Sequence, residues 1–287
     1  MAHPVPPPPP PSLRAVDTHS HIHLTKEDGV PERQPDWSYD DPRAWNMQAD
    51  AVVAEAEQAG LVWLATVSTD MPSARVVVDQ SRRHANVYGV IGIHPNDSDG
   101  TDDAAVNELH DLALDPNIVA IGETGLDWYR MGASKETQEE SFRRHISLAR
   151  ETDTALVIHD RDAHEDIVRI LCDQPSLPKA VIFHCFSGDE HLAEICNTHG
   201  WYMSFAGNVT FPSADSLRRG LLAARPELIL SETDAPFMAP VPHRGQSNTP
   251  AKVIHTVNYM AMVRETDPVA FGEQLILNAN RAMDIHG

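Results

Sequence analysis

Eight short, apolar, β-branched runs alternate with helical patterns along this chain, and that alternation predicts a (β/α)8 TIM barrel. A second observation supports it. Histidine and carboxylate side chains recur at the carboxyl ends of the runs, the rim where such barrels place their chemistry. The runner-up is a doubly wound open sheet. It is weakened because no G-x-G-x-x-G turn follows the first run.

The elements follow in chain order. Residues 1–12 carry "HPVPPPPPPS", an extended polyproline leader expected to be disordered and unlike a signal peptide. Residues 13–287 are expected to form one barrel domain. The first strand is "RAVDTH", 14–19. It opens "AVDTHSHIH", with His19, His21 and His23 at alternate positions. A strand puts alternate residues on one face, and converging imidazoles suit a divalent metal. Residues 25–46 then exceed an ordinary βα connection and are rich in turn residues. They are expected to form a loop over the barrel mouth, with Trp37, Tyr39 and Trp45 as apolar contacts. The helical run "AWNMQADAVVAEAEQAG" ends on Gly60, a C-cap residue.

The second strand is "LVWLATV", 61–67. The third, "VYGVIGIH", 87–94, ends in His94, and the fourth, "NIVAIGE", 117–123, ends in Glu123. Ser134 precedes an acidic first turn and caps the helix of "SKETQEESFRRHISLARETD". The fifth strand, "ALVIH", 155–159, ends in His159 and leads into "AHEDIVRILCDQ". The sixth, "AVIFH", 180–184, ends in His184 and leads into "DEHLAEICNTHG". The seventh is "GWYMSF", 200–205. The eighth, "LILSETD", 228–234, ends in Glu232 and Asp234.

The formal charge of −20 repels nucleic acid at long range and counts against a binder that relies on bulk electrostatics. It leaves room for a nuclease whose phosphate contacts run through metals, since bound dications reverse the local field. No apolar run is long enough to span a membrane, so no membrane association is expected. Cys172, Cys185 and Cys196 are too scattered for a disulfide framework and fit a cytoplasmic location. No obligatory protein partner is evident.

Imidazole nitrogen and carboxylate oxygen together suit divalent metals. A pair of ions needs a bridge, and Glu123 is the acidic residue that ends a central strand. A carbamylated lysine is disfavoured, because Lys26, Lys135, Lys179 and Lys252 all lie away from strand ends.

The motifs "DTHSHIH", "GIHP", "GETGLDWY", "IHDRDAHED", "FHCFSGD", "LSETDAP" and "HRGQSNTP" occur in this order and cover nearly the whole chain after the leader. Together they resemble the TatD family of metal-dependent deoxyribonucleases. The resemblance implies a TIM-barrel hydrolase with two divalent ions, magnesium, manganese or zinc. It implies His19, His21 and Asp234 as ligands of the first metal, Glu123 as the bridge, and His159 and His184 as ligands of the second. It also implies DNA as substrate, single-stranded or at frayed ends and trimmed from the 3′ end. His23 departs from the aspartate usual in the family motif and is expected to pack behind the ligands.

Other residues carry softer roles. Asp234 and Glu123 are catalytic candidates. So is Arg161, whose guanidinium suits a substrate phosphate or a salt bridge to Asp160, Asp162 or Asp127. His94 and Asn248 are candidate substrate contacts. Asp127 and Glu232 suit the orientation of ligands. Trp128 and Tyr129 are candidates for stacking on a base or for ordinary packing. Two alternatives stay open: hydrolysis of a small ester, amide or lactone, and metal binding without catalysis.

Overall fold

Eight parallel strands pair in sequence order: β1 (Ala15–Ser20), β2 (Leu61–Val67), β3 (Val87–Ile91), β4 (Ile118–Asp127), β5 (Ala155–Arg161), β6 (Val181–Phe183), β7 (Tyr202–Phe205) and β8 (Ile229–Ser231). The structure, a computed structural model, describes residues 7–24 and 42–286, with backbone alone for 42–48. Every residue of β1 and of β4 is buried, as expected of strands covered on both faces.

Nine helices are described: α1 (Pro42–Gln58), α2 (Met71–Arg83), α3 (Asp103–Ala113), α4 (Lys135–Glu151), α5 (His164–Cys172), α6 (Glu190–His199), α7 (Asp215–Ala223), α8 (Val253–Val263) and α9 (Pro268–Met283). They show why the sequence pattern was helical. In α2 the buried residues Ala74, Val77, Val78 and Ser81 follow the helical repeat. Asp70 accepts from Ser73 N and caps its start. Ser134 caps α4 as expected, accepting from Thr137 N at 3.1 Å.

The sheet closes, which sets the open-sheet runner-up aside. Ser20 bridges Ala235, Asp234 N donates to His19 O at 2.9 Å, and His21 N donates to Ala235 O at 2.8 Å. Asp17, fully buried in β1, fastens the seam by accepting from Thr233 N and from the Thr233 hydroxyl. Burial pushes its carboxyl well above the usual range, even against those bonds.

The strand ends differ from expectation in two ways. His21, His94, His184, Glu232 and Asp234 lie just past their strands. Conversely, β4 and β5 run on together through Asp127 and Arg161, because Gly125, Leu126 and Asp127 pair with His159, Asp160 and Arg161. Pairing with a neighbour overrides the turn-like composition of "GLD" and "HDR".

The leader is held rather than free from Pro7 onward. Asn258 Nδ2 donates to Pro7 O at 2.7 Å, and Leu13 N donates to Pro10 O at 2.9 Å. Residues 1–6 lie outside the described residues. So do residues 25–41 of the expected mouth loop, with Trp37 and Tyr39, and the side chain of Trp45. Residues 42–46 begin α1 instead of continuing that loop.

One irregularity positions the site. Between Ile121↔Leu156 and Thr124↔Ile158, β4 carries one residue more than β5, a bulge that contains Gly122 and Glu123. Gly125 follows at φ +132°, and a Cβ there would stand 2.2 Å from His159 O. Only glycine allows this approach. Gly125→Ala is therefore expected to push β4 off β5, lowering stability by about 1–3 kcal/mol. Bound metal should fall with it, as read by thermal melts and metal analysis.

Candidate metal centre

The bulge on β4 turns Glu123 into the carboxyl-end mouth of the barrel, where it is 3% exposed. Its two oxygens face different partners. Oε2 lies 3.5 Å from His19 Nε2 and 3.7 Å from His21 Nε2. These two nitrogens also approach Asp234 Oδ1, at 3.9 and 3.6 Å. Oε1 lies 2.6 Å from His159 Nδ1, 2.9 Å from His184 Nε2 and 3.5 Å from His94 Nε2.

Three sets of side chains among the described residues converge closely enough to hold an ion: His19, Glu123 and His184; His19, His21 and Asp234; and His94, Asp127 and His159. The residues fit a metal in a further respect. His19 is buried, yet neither ring nitrogen has a hydrogen-bond partner. Two orphaned imidazole nitrogens cost free energy in a dry site unless a ligand takes them.

Groups behind these imidazoles fix the ring tautomers. His21 Nδ1 donates to Val67 O at 2.8 Å, which leaves Nε2 as the lone-pair atom. His184 Nδ1 faces Glu232 Oε1 at 3.3 Å, and that oxygen also accepts from Cys185 N at 2.7 Å. His159 Nε2 lies 3.4 Å from Asp127 Oδ2, with Nδ1 turned to Glu123. His94 is the opposite case. Its Nδ1 accepts from Asn96 N at 3.1 Å, so the neutral ring carries its proton on Nε2, toward Glu123. That makes His94 a donor into the mouth.

The electrostatics follow from burial and proximity. Burial alone would raise Glu123, but His184, His94 and His159 hold it well below the usual carboxylate range. Burial opposes charge on His184, yet Glu123 and Glu232 raise it well above an ordinary imidazole. Burial lowers His19, assisted by His184, whose ring stacks on it at 3.8 Å. His94 is pushed down to about 3, mainly by burial. The site therefore holds concentrated, partly compensated charge, as metal-ligand sets do.

The remaining candidates resolve as follows. His23 is 1% exposed and belongs to none of the three convergent sets. Burial pushes it down to about 3, so it is a neutral ring packed 5.9 Å behind His21. Arg161 pairs with no carboxylate among the described residues. Its guanidinium lies over the Tyr129 ring, 4.9 Å from the centroid. Asn248 is fully buried, and its Nδ2 donates to Thr233 O and Phe237 O, which braces the loop after β8. Trp128 is a packing residue whose Nε1 donates to Asp166 and whose ring lies beneath Lys135.

Sequence reasoning missed the Asn96 hub. Its side chain donates to Asp127 Oδ2 at 2.9 Å and accepts from Gly132 N at 2.8 Å, tying the loop after β3 to the turn after β4. The neighbouring "GIHPND" was its only signal.

The family model described as TatD-related DNase matches residues 16–284. An uncharacterized metal-dependent hydrolase named TatD from Mycobacterium tuberculosis is 38% identical over 81% of this chain and 89% of its own. The uncharacterized metal-dependent hydrolase YcfH of Escherichia coli K12 is 35% identical over 87% of this chain and 88% of its own. A Salmonella typhimurium relative named as a 3′-5′ ssDNA/RNA exonuclease TatD is 32% identical over 82% of this chain and 93% of its own. In fold, the chain resembles the crystal structure of the Escherichia coli TatD homolog YJJV, with a TM-score of 0.82 at 23% identity, covering 96% of this chain and 100% of that one. By the span of the family model and the identity to these relatives, the chain belongs to the TatD-related DNase family of metal-dependent hydrolases.

Proposed function

We propose that the protein is a two-metal phosphodiesterase that trims single-stranded or frayed DNA from a 3′ end. The observation that carries this reading is Glu123, whose Oε2 faces His19 and His21 while Oε1 faces His159 and His184. In this reading His19, His21 and Asp234 would hold one divalent ion, His159 and His184 would hold the other, and Glu123 would serve both. Manganese, magnesium and zinc all suit such donors. The exonuclease printed in the name of the Salmonella relative supports the substrate.

When bound, a pair of dications supplies an activated water and charge stabilisation for an in-line displacement. The chain's own residues do the rest. Val67 O, Glu232 and Asp127 orient His21, His184 and His159. Asp234, at the mouth and 3.6 Å from His21, is placed to take the water's proton. His94 presents its Nε2–H to a substrate oxygen. Arg161, exposed at the end of β5, offers its guanidinium to a phosphate. The thiols of Cys172, Cys185 and Cys196 are free, which supports a reducing cytoplasmic setting.

End-labelled oligonucleotides with manganese test the reading. Shortening from the 3′ end that chelator stops is expected. Intact oligonucleotides alongside cleavage of an ester, amide or lactone would contradict it. Salt dependence is a second check. Among the described residues this reading uses one cation at the mouth, Arg161, so few counterions are released on binding. The slope of log affinity against log salt should be shallow, about −1 to −2 for one to three phosphates neutralised.

A further inference from the structure

Among the described residues, the two large aromatic side chains most exposed to solvent are Tyr129, at 67%, and Phe237, at 53%. Of the other exposed large apolar side chains, Met131 follows Tyr129 in the turn after β4, while Leu114, Leu222 and Leu277 stand in or beside helices α3, α7 and α9. An exposed aromatic ring is a cost unless something covers it, and chance would scatter such rings over the surface.

Both rings are tied through their backbone to residues of the site, Tyr129 to the Asp127 carboxylate and Phe237 to the Asp234 main chain. Tyr129 N donates to Asp127 Oδ1 at 2.9 Å, and Asp127 in turn orients His159. Phe237 N donates to Asp234 O at 2.8 Å, and Asn248 Nδ2 grips Phe237 O. The Phe237 ring lies 6.4 Å from His21. Tyr129 follows β4 and Phe237 follows β8, strands four apart in an eight-stranded closed order. The loops that carry them therefore stand on opposite sides of the mouth, into which Glu123 also points. Arg161 lies over the Tyr129 ring, which stays largely exposed even so.

We infer that Tyr129 and Phe237 are stacking platforms for the two unpaired nucleobases that flank the scissile phosphate. This rests on the proposed phosphodiesterase reading and adds the residues that select an unpaired strand. A phosphodiester centred at Glu123 sends its two nucleosides toward opposite rims. Only a base released from its duplex stack offers a free face to each ring. Stacking tolerates any base identity, so the selection is for single-strandedness and not for sequence.

The test uses the manganese-loaded full chain with oligo(dT), a phosphorothioate oligo(dT) for equilibrium binding by anisotropy, and bis(p-nitrophenyl) phosphate. Tyr129→Ala and Phe237→Ala are each expected to raise KM for oligo(dT), and Kd for its phosphorothioate form, about tenfold, while kcat shifts less than about threefold. Tyr129→Phe and Phe237→Trp should retain wild-type KM, and the double alanine variant should lose about a hundredfold, since the rings do not touch. Unchanged KM and Kd in both alanine variants would overturn the inference. So would an equal loss on bis(p-nitrophenyl) phosphate, which is too small to reach both rims. A wild type that hydrolyses neither substrate contradicts the phosphodiesterase reading itself. One that turns over the small diester but does not bind oligo(dT) overturns the platforms alone.

Discussion

Glu123→Gln is expected to lower turnover at least about a thousandfold while leaving the barrel folded. Losing a partner behind a metal ligand typically costs 10–100-fold. Glu123 stands in front, facing five imidazoles with two oxygens, so its loss should exceed that range. Glutamine keeps the shape but replaces one carboxylate oxygen with an NH2 donor. Whichever way the amide lies, one set of imidazoles then meets N–H groups where it had an acceptor. The removal of negative charge also releases His184 from the neighbour that raises it. Circular dichroism should remain that of the wild type, because the substitution leaves no cavity. A variant with more than a tenth of wild-type rate would show that Glu123 is a structural acid only.

Metal removal is the second large effect. Chelation should abolish hydrolysis, and manganese should restore it. The site packs His19, His21, Glu123, His184 and Asp234 together, all buried, with both His19 ring nitrogens lacking a hydrogen-bond partner. A cation that binds only the folded state stabilises it by about 4 kcal/mol at a thousandfold excess over Kd. For a chain of this size that corresponds to roughly 7 °C in Tm. Scanning fluorimetry with chelator, then with added manganese, reads the shift. An identical Tm and rate in both conditions would contradict a resident metal.

How much of this was legible in the sequence depends on the kind of contact. The barrel was legible because each strand is a short β-branched run and each helix repeats its apolar face, as in "ALVIH" and in Ala74, Val77 and Val78. The convergence of His19 and His21 was legible because a strand alternates its faces. The bulge at Gly122 and Glu123 was not, since register belongs to the pair of strands and not to either alone. The tautomer set by Val67 O was equally hidden, because a backbone carbonyl leaves no mark in residue type. The bracing role of Asn248 was hidden for a similar reason, because the acceptors of its N–H groups, Thr233 O and Phe237 O, are backbone carbonyls. Phe237 gave no signal, because exposure of an aromatic is decided by everything packed around it.

The central claim is that one carboxylate joins two metal sites. Anomalous diffraction from crystals of the manganese-loaded protein tests it most directly. Two peaks are expected in the barrel mouth, one on Glu123 Oε2 with His19, His21 and Asp234, the other on Glu123 Oε1 with His159 and His184. A single peak at full loading, or two peaks that share no oxygen-bearing side chain at Glu123, would contradict the account.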